Sequence, residues 1–184
     1  MFEALGIIVK KISINVDRVE FTNLYEESDK GCVLLIAALF DEVLGTLHET
    51  AINANLEDKI DSQKFIKDKL MNDNCPLYDF ANKIKIAFAF NLITEEQYQA
   101  LYAIRDLRNE AAHCIFHFTL ENEGIANYLK KLDGYKKRVF EYLPPKERTT
   151  KVLFIEMCHT LLVDLYDNMC DQADVLLAKR DARQ

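Results

Sequence analysis

The apolar positions of this 184-residue chain recur mostly at helical spacing. "ESDKGCVLLIAALFDEVLGTLHETAI" (27–52) predicts a long helix, with Ser28 or Asp29 as its cap and acidic residues at its positive end. From Cys32 to Phe40 the stretch is apolar nearly all round, which predicts a central core helix buried on every side. Residues 55–71 place Leu56, Ile60, Phe65, Ile66 and Leu70 at helical spacing, and "NDNCP" then breaks the pattern. "LYDFANKIKIAFAF" (77–90) predicts another helix that stops at Asn91. "TEEQ" (94–97) reads as a capping box, with Thr94 as the cap and Gln97 reaching back, and it launches the next helix. "HCIFHFTLENEG" (113–124) interrupts the pattern with β-branched and aromatic residues near a turn. Residues 125–142 read as helical again, Pro144 and Pro145 are a firm stop, and a long amphipathic helix over about 149–180 closes the chain. The first 26 residues are ambiguous: "ISINVDRVEF" alternates like a strand, but an isolated strand has no partner. The expected fold class is all-α, a single-domain helical bundle over residues 25–184 with a long C-terminal helix. Residues 1–24 form a preceding segment whose structure the pattern leaves open.

Composition sharpens this picture. Glycine and proline are scarce (5 and 3), half of the residues are hydrophobic, and the length suffices for a real core. The formal net charge of −7 argues against broad, nonspecific DNA binding, which needs a large basic surface, but leaves room for a local basic pocket. Five widely spaced cysteines, Cys32, Cys75, Cys114, Cys158 and Cys170, include no CxxC pair and are odd in number. They read as reduced intracellular thiols, several of them buried. The apolar run in "MFEALGIIVKK" is too short for the core of a signal peptide, and "CVLLIAALF" is too short to span a bilayer. The expectation is a cytoplasmic protein with no membrane association. No glycine-rich phosphate loop supports nucleotide hydrolysis, and no cofactor is expected.

The candidate chemistry lies in "RDLRNEAAH", residues 105–113. At about 100° per residue, Tyr98, Leu101, Tyr102, Arg108, Asn109, Ala112 and His113 fall within roughly 80° either side of Arg105. Ala100, Ala103, Ile104, Leu107 and Ala111 fall on the opposite, core-facing stripe. The first set therefore points outward. Tyrosine with arginine is what interfaces use, and also what stacks on bases and grips phosphate. Such a set suits metal-free RNA cleavage, in which a 2′-hydroxyl attacks the adjacent phosphorus. A histidine can move the proton, an arginine can stabilise charge on the phosphoryl oxygens, and an amide such as Asn109 can orient either group. Arg108 and His113 lie about 140° apart on an unbroken helix, which is awkward for one small site. Either the helix ends near Ala112 and lets His113 swing, or two copies of the face meet across a dimer.

"RNEAAH" also fits the R-N-x-x-x-H signature and so resembles the HEPN superfamily of all-α domains. That resemblance implies a motif at a dimer interface and, in active members, metal-independent RNA cleavage. "ESDKGCVLLIAALFDEVL", followed by "PLYDFANKIKIAFAFNLITEEQYQALYAIRDLRNEAAH", looks like the mannitol operon repressor (MltR) family. That family opens a hydrophobic helix with "E-S-D-[RK]-G", continues with an "L-x-x-F/L-x-x-K/R-I-x-x-A" helix and ends in "I-R-x-x-R-N-x-x-A-H". The resemblance covers about residues 25–132. The family is named for transcriptional repression, yet no helix-turn-helix is found here and the chain is acidic, so a DNA-related role would run through a partner protein.

Two functional readings follow. The first is a homodimeric, metal-independent endoribonuclease in a regulatory, toxin–antitoxin or defence setting. In it Arg108 stabilises phosphate, His113 acts as acid/base, Asn109 positions them, Arg105 is an auxiliary phosphate binder, and Tyr98 and Tyr102 line the binding face. Glu27 and Asp29 would orient the arginines from behind. The second is a non-enzymatic transcriptional regulator or interaction module that uses the same face for a second copy or a regulatory protein. A small-ligand sensor is a weaker third. Plain structural readings stand beside them. Arginine and histidine near a helix C-terminus meet its exposed carbonyls and dipole, and Arg105 or Arg108 could pair with Glu27 or Asp29 to fix helix packing. Tyr98 and Tyr102 could be partial core. His113 and His117 share a metal-ligand spacing on a helix, but "HCIFHF" is poorly helical and no acidic ligand is suitably spaced, so no metal is expected. Cys114 beside His113 and Cys158 beside His159 suggest a thiol nucleophile only weakly, because adjacent helical residues point apart. His48 and His159 read as ordinary polar-face or packed residues.

Overall fold

In the computed structural model, which describes residues 21–55, 67–72 and 75–181, all regular structure is helical, with no strand among the described residues. The α-helices are α1 (Phe21–Leu24), α2 (Asp29–Asn55), α3 (Phe80–Ala89), α4 (Glu95–His113), α5 (Glu123–Leu129), α6 (Asp133–Tyr142) and α7 (Thr150–Asp181). Short 3-10 turns occupy Lys130–Leu132 and Pro145–Glu147, and a π-type turn occupies Lys67–Met71. This is the all-α helical bundle that the pattern predicts, with its long last helix. The strand-like alternation of the N-terminus and most of the helix expected over 55–71 lie outside the described residues.

Local chemistry sets the helix ends. The capping box at α4 is complete: Thr94 Oγ1 accepts from the Gln97 amide at 3.2 Å, and Gln97 Oε1 accepts from the Thr94 amide at 2.8 Å. α3 begins at Phe80 rather than at residue 77, because Asp79 Oδ1 accepts from the Ala81 amide at 2.8 Å and fixes the cap there. Just beyond it Asn91 adopts φ 55°, a left-handed turn that asparagine tolerates and that stops the helix as expected. At α2 the cap is Ser28, whose Oγ accepts from the Gly31 amide at 3.0 Å. α6 ends at Tyr142, just ahead of the two prolines. There Arg148 donates to the carbonyls of Leu143 and Phe140, both at 2.9 Å, with its guanidinium 4.1 Å over the Phe140 ring.

Burial confirms one face and corrects another. Ala100, Ala103, Ile104, Leu107 and Ala111 of α4 are fully buried, as the core-facing stripe requires. Leu101, placed on the outward face by periodicity, is also fully buried, so the covered arc of α4 is wider in its first half. In α2, Cys32, Val33, Ile36, Ala37, Leu39 and Phe40 are buried, but Leu35 is 50% exposed and Ala38 is exposed. The expected all-round burial therefore fails along one flank. Apolar composition tells what a helix tolerates, not how many neighbours it receives. Asp29–Ile52 is long and apolar enough, by length and composition, to cross a membrane, which the shorter run 32–40 is not; 56% of its most apolar window is buried in the protein, as for a core helix.

The chain divides into two compact units. One comprises the described residues of Asp41–Ile93 and Tyr166–Gln184. It carries a closed polar cluster in which Lys83 Nζ donates to Asp41 Oδ1 at 2.7 Å and to the Asp41 carbonyl at 3.3 Å. His48, 2% exposed, donates its Nε2–H to the Lys83 carbonyl at 2.9 Å. Burial lowers the His48 pKa below its ordinary value, the hydrogen bond to the Lys83 carbonyl opposes this, and the Lys83 ammonium adds a smaller push downward. The other unit comprises the described residues of Glu20–Phe40 and Thr94–Leu165. In it α5 and the 3-10 turn after it pack on α4. The Tyr25 and Tyr142 hydroxyls both donate to the Glu156 carboxylate of α7, Tyr142 at 2.7 Å. Lys151 donates to the carbonyls of Tyr25 and Glu27, tying the segment before α2 to the start of α7.

Candidate functional site

The outward side of α4 carries an aromatic and cationic row. The Tyr98 and Tyr102 rings lie with centroids 5.1 Å apart, and the Arg105 guanidinium sits 5.8 Å from the Tyr102 ring centroid. Both tyrosines and Arg105 are half-buried. Arg105 Nη1 also pairs with Asp106 Oδ1 at 2.8 Å. Toward the C-terminal end, Arg108, Ala112 and His113 are exposed, and Asn109 is half-buried. Arg108 Nη1 donates to Asn109 Oδ1 at 3.2 Å, a bond between adjacent residues that orients the guanidinium without attaching it to any other element.

α4 runs unbroken through His113, and its cap is Cys114, with φ −71° and ψ 110°. The helix therefore ends one residue past Ala112, with His113 still inside it and keeping its helical direction. Arg108 and His113 stay about 140° apart around the axis. Within one copy the two groups do not converge, so a compact phosphate site would need a second surface.

Glu27 and Asp29 do other work than was expected of them. Asp29 Oδ2 accepts from Thr119 Oγ1 at 3.0 Å and from the Leu120 amide at 2.8 Å, holding the loop after α4 instead of an arginine. Because Ser28 caps α2, the Asp29 carboxylate is available for this longer reach. The Glu27 side chain is exposed and lies beside Gly31, where a Cβ would come within 2.8 Å of Glu27 Oε2. The neighbouring residue of that turn, which sequence reasoning passed over, is Lys30. Its ammonium donates to the Cys114 carbonyl at 2.9 Å and so meets the negative end of α4. Nothing local in "SDK" signals a partner 84 positions away.

Ile115 and Phe116 were missed as well. They are 90% and 88% exposed, directly after the motif. In the sequence their apolar character marks only a break in helical pattern.

His117 lies in the loop beyond α4, so His113 and His117 share no helix face, and no group of three metal-ligating side chains is found among the described residues. Cys158 is fully buried and its thiol is pushed well above the ordinary range, whereas His159 is exposed with its ring edge-on to Phe21 at 5.0 Å. Burial likewise pushes Cys32 up to about 12. Neither buried thiol is set up as a nucleophile.

No protein-family model matches this chain, and no curated protein matches it. Among solved structures it is similar to the X-ray structure of the MtlR–HPr complex from Escherichia coli, at 11% sequence identity and a TM-score of 0.59. The match covers 87% of this chain and 99% of that one. At that identity the likeness is one of fold.

Proposed function

We propose that this chain is a non-enzymatic regulatory protein that acts by binding a protein partner through the outward side of α4. The observation that carries the reading is the row Tyr98, Tyr102, Arg105 and Arg108: aromatic and guanidinium groups at a helix surface, the residue types that dominate protein interfaces. The fold likeness to MtlR, solved in complex with HPr, supports a partner-binding role and names the first partner to test. The resemblance of "IRDLRNEAAH" to the mannitol operon repressor family supports a setting in transcription regulation. The acidic charge of −7 favours action through a partner over direct DNA contact. Titration of the full chain with HPr from the same organism should give saturable binding. The double variant Tyr102→Ala/Arg108→Ala should weaken it at least about tenfold while the protein stays folded. Absence of binding to HPr, with RNA cut by the same preparation, would overturn the reading.

A second reading rests on one specific observation, the exposure of Arg108 and His113 near the same helix end. In a homodimer two copies of this end would pool their groups for metal-independent RNA cleavage. Arg108 would then stabilise the phosphoryl charge, Asn109 would hold Arg108, His113 would carry the proton, and Arg105 would steer the backbone. Incubation with total RNA in EDTA decides it: cleavage lost in His113→Ala supports this reading, and intact RNA removes it.

A further inference from the structure

The loop after α4 is fixed at both ends by the first turn of α2. The Lys30 ammonium donates to the Cys114 carbonyl at 2.9 Å, and the Asp29 carboxylate accepts from Thr119 Oγ1 and the Leu120 amide at 3.0 and 2.8 Å. Each bond has one charged member, which makes it roughly twice as strong as a neutral one. Leu120 is buried at the far end, and within the loop Cys114 Sγ donates to the Phe116 carbonyl at 3.6 Å. What this strap holds in place is Ile115 and Phe116, the two most exposed large apolar side chains among the described residues. Neither side chain contributes to the core, so the core gains nothing from the ordering of their backbone. Exposed groups of both signs flank the loop, Arg108 and Glu110 before it and Glu121 and Glu123 after it. Apolar area in a fixed position, not charge, is therefore what it offers.

The row on α4 is too small to be the whole footprint of a protein partner. A specific interface covers roughly 800 Å² on each side and draws on about 20–30 residues. The row supplies Tyr98, Tyr102, Arg105 and Arg108, and all but Arg108 are half-buried. The footprint must extend beyond it, and α4 itself leads to the strap. From Arg105 to His113 the helix rises about 12 Å, and Ile115 follows just past its end. A patch of that area is roughly 30 Å across, so one partner spans both the row and the loop. The energy of such contacts concentrates in a few large side chains that enter pockets, and a pair already held in position loses less freedom on docking.

Resting on the partner-binding reading of α4, we infer that the same protein partner takes Ile115 and Phe116 into an apolar hollow, and that Asp29 and Lys30 are positioning residues for it. They act through the loop, by holding the apolar pair in register with the row, rather than by touching the partner. Titration of the full chain with HPr from the same organism tests this. Phe116→Ser should weaken binding about thirtyfold and leave the melting temperature unchanged, because the side chain stands in solvent. Asp29→Ala and Lys30→Met should each weaken binding about tenfold, by freeing one end of the strap. Asp29→Asn keeps a carbonyl oxygen for the Leu120 amide and should fall between Asp29→Ala and the wild type. In the Phe116→Ser background Asp29→Ala should cause little further loss, since the pair through which it acts is already broken; a variant that only weakens the fold would lose affinity in both backgrounds. Binding weakened by Tyr102→Ala/Arg108→Ala but not by Phe116→Ser keeps the α4 reading and overturns this inference. An Asp29→Ala loss that is equal with and without Phe116 overturns the positioning role. A wild type that does not bind HPr removes the α4 reading and the inference with it.

Discussion

The Asp41–Lys83–His48 cluster and the outward row of α4 are both polar, and they differ in where their hydrogen bonds go. In the first, each bond joins residues far apart in sequence: Lys83 to Asp41, and His48 to the Lys83 carbonyl. Loss of a member removes a tie between elements and strands a shielded group. In the second, the bonds of Arg105 to Asp106 and of Arg108 to Asn109 link sequence neighbours on one helix. Such bonds orient side chains and hold no element to another. Polar groups tied at a distance serve the fold, and polar groups tied to their neighbours at an open surface are free to serve something else. The contrast extends to α4 itself, where a fully buried stripe backs the open row.

The most damaging way to probe the contrast is on that buried stripe. Leu107→Ala should destabilise the protein by roughly 2–5 kcal/mol, through lost transfer energy and the cavity left behind. Chemical denaturation with an unchanged slope would check it. Next comes the closed cluster. Asp41→Ala leaves the Lys83 ammonium, only 12% exposed, with the Asp41 backbone carbonyl as its remaining acceptor, and should cost about 1–3 kcal/mol. The Asp41 carboxylate is itself 39% exposed, which holds the loss below that of a fully buried pair. A double variant that also replaces Lys83 with methionine should recover part of the loss, because no charge is then stranded.

His48 gives the cluster a pH signature. Its folded pKa is lowered from 6.5, so the unfolded chain takes up a proton more readily than the native one. The stability that neutral His48 contributes is complete above pH 6.5 and falls as pH drops below it, until the folded group also protonates. The slope from this residue can reach about 1.4 kcal/mol per pH unit and no more. Denaturation midpoints from pH 7.5 downward should therefore fall more steeply in the wild type than in His48→Gln. Identical profiles would show that His48 does not protonate differently in the two states.

How much of this was legible depends on the range of each interaction. Thr94, Gln97 and the stop at Asn91 are local devices, readable within a few residues, and the structure contains them. The buried stripe of α4 follows from helical period alone. The exposure of Leu35 and Ala38 does not, because period ranks the faces of a helix without saying how many are covered. Asp29 and Lys30 were beyond reading for the opposite reason. Their partners lie 84 to 91 positions away, and no spacing rule connects them. The outward placement of Arg108 and His113 was readable, whereas the exposed pair Ile115–Phe116 was hidden by the habit of counting apolar residues toward the core.

The smallest effect on stability is the most informative about the open end. Arg108 is exposed and bonded to its neighbour Asn109, so Arg108→Ala should change the unfolding free energy by no more than about 0.5 kcal/mol. The same substitution should weaken partner binding, which ranks function far above stability at this position, whereas Leu107 on the opposite side of the helix ranks them the other way. A large drop in melting temperature for Arg108→Ala would mean that the guanidinium holds the fold together after all. The outward row would then be one more closed cluster, and the distinction between near and distant bonds would lose its use as a guide to function in this chain.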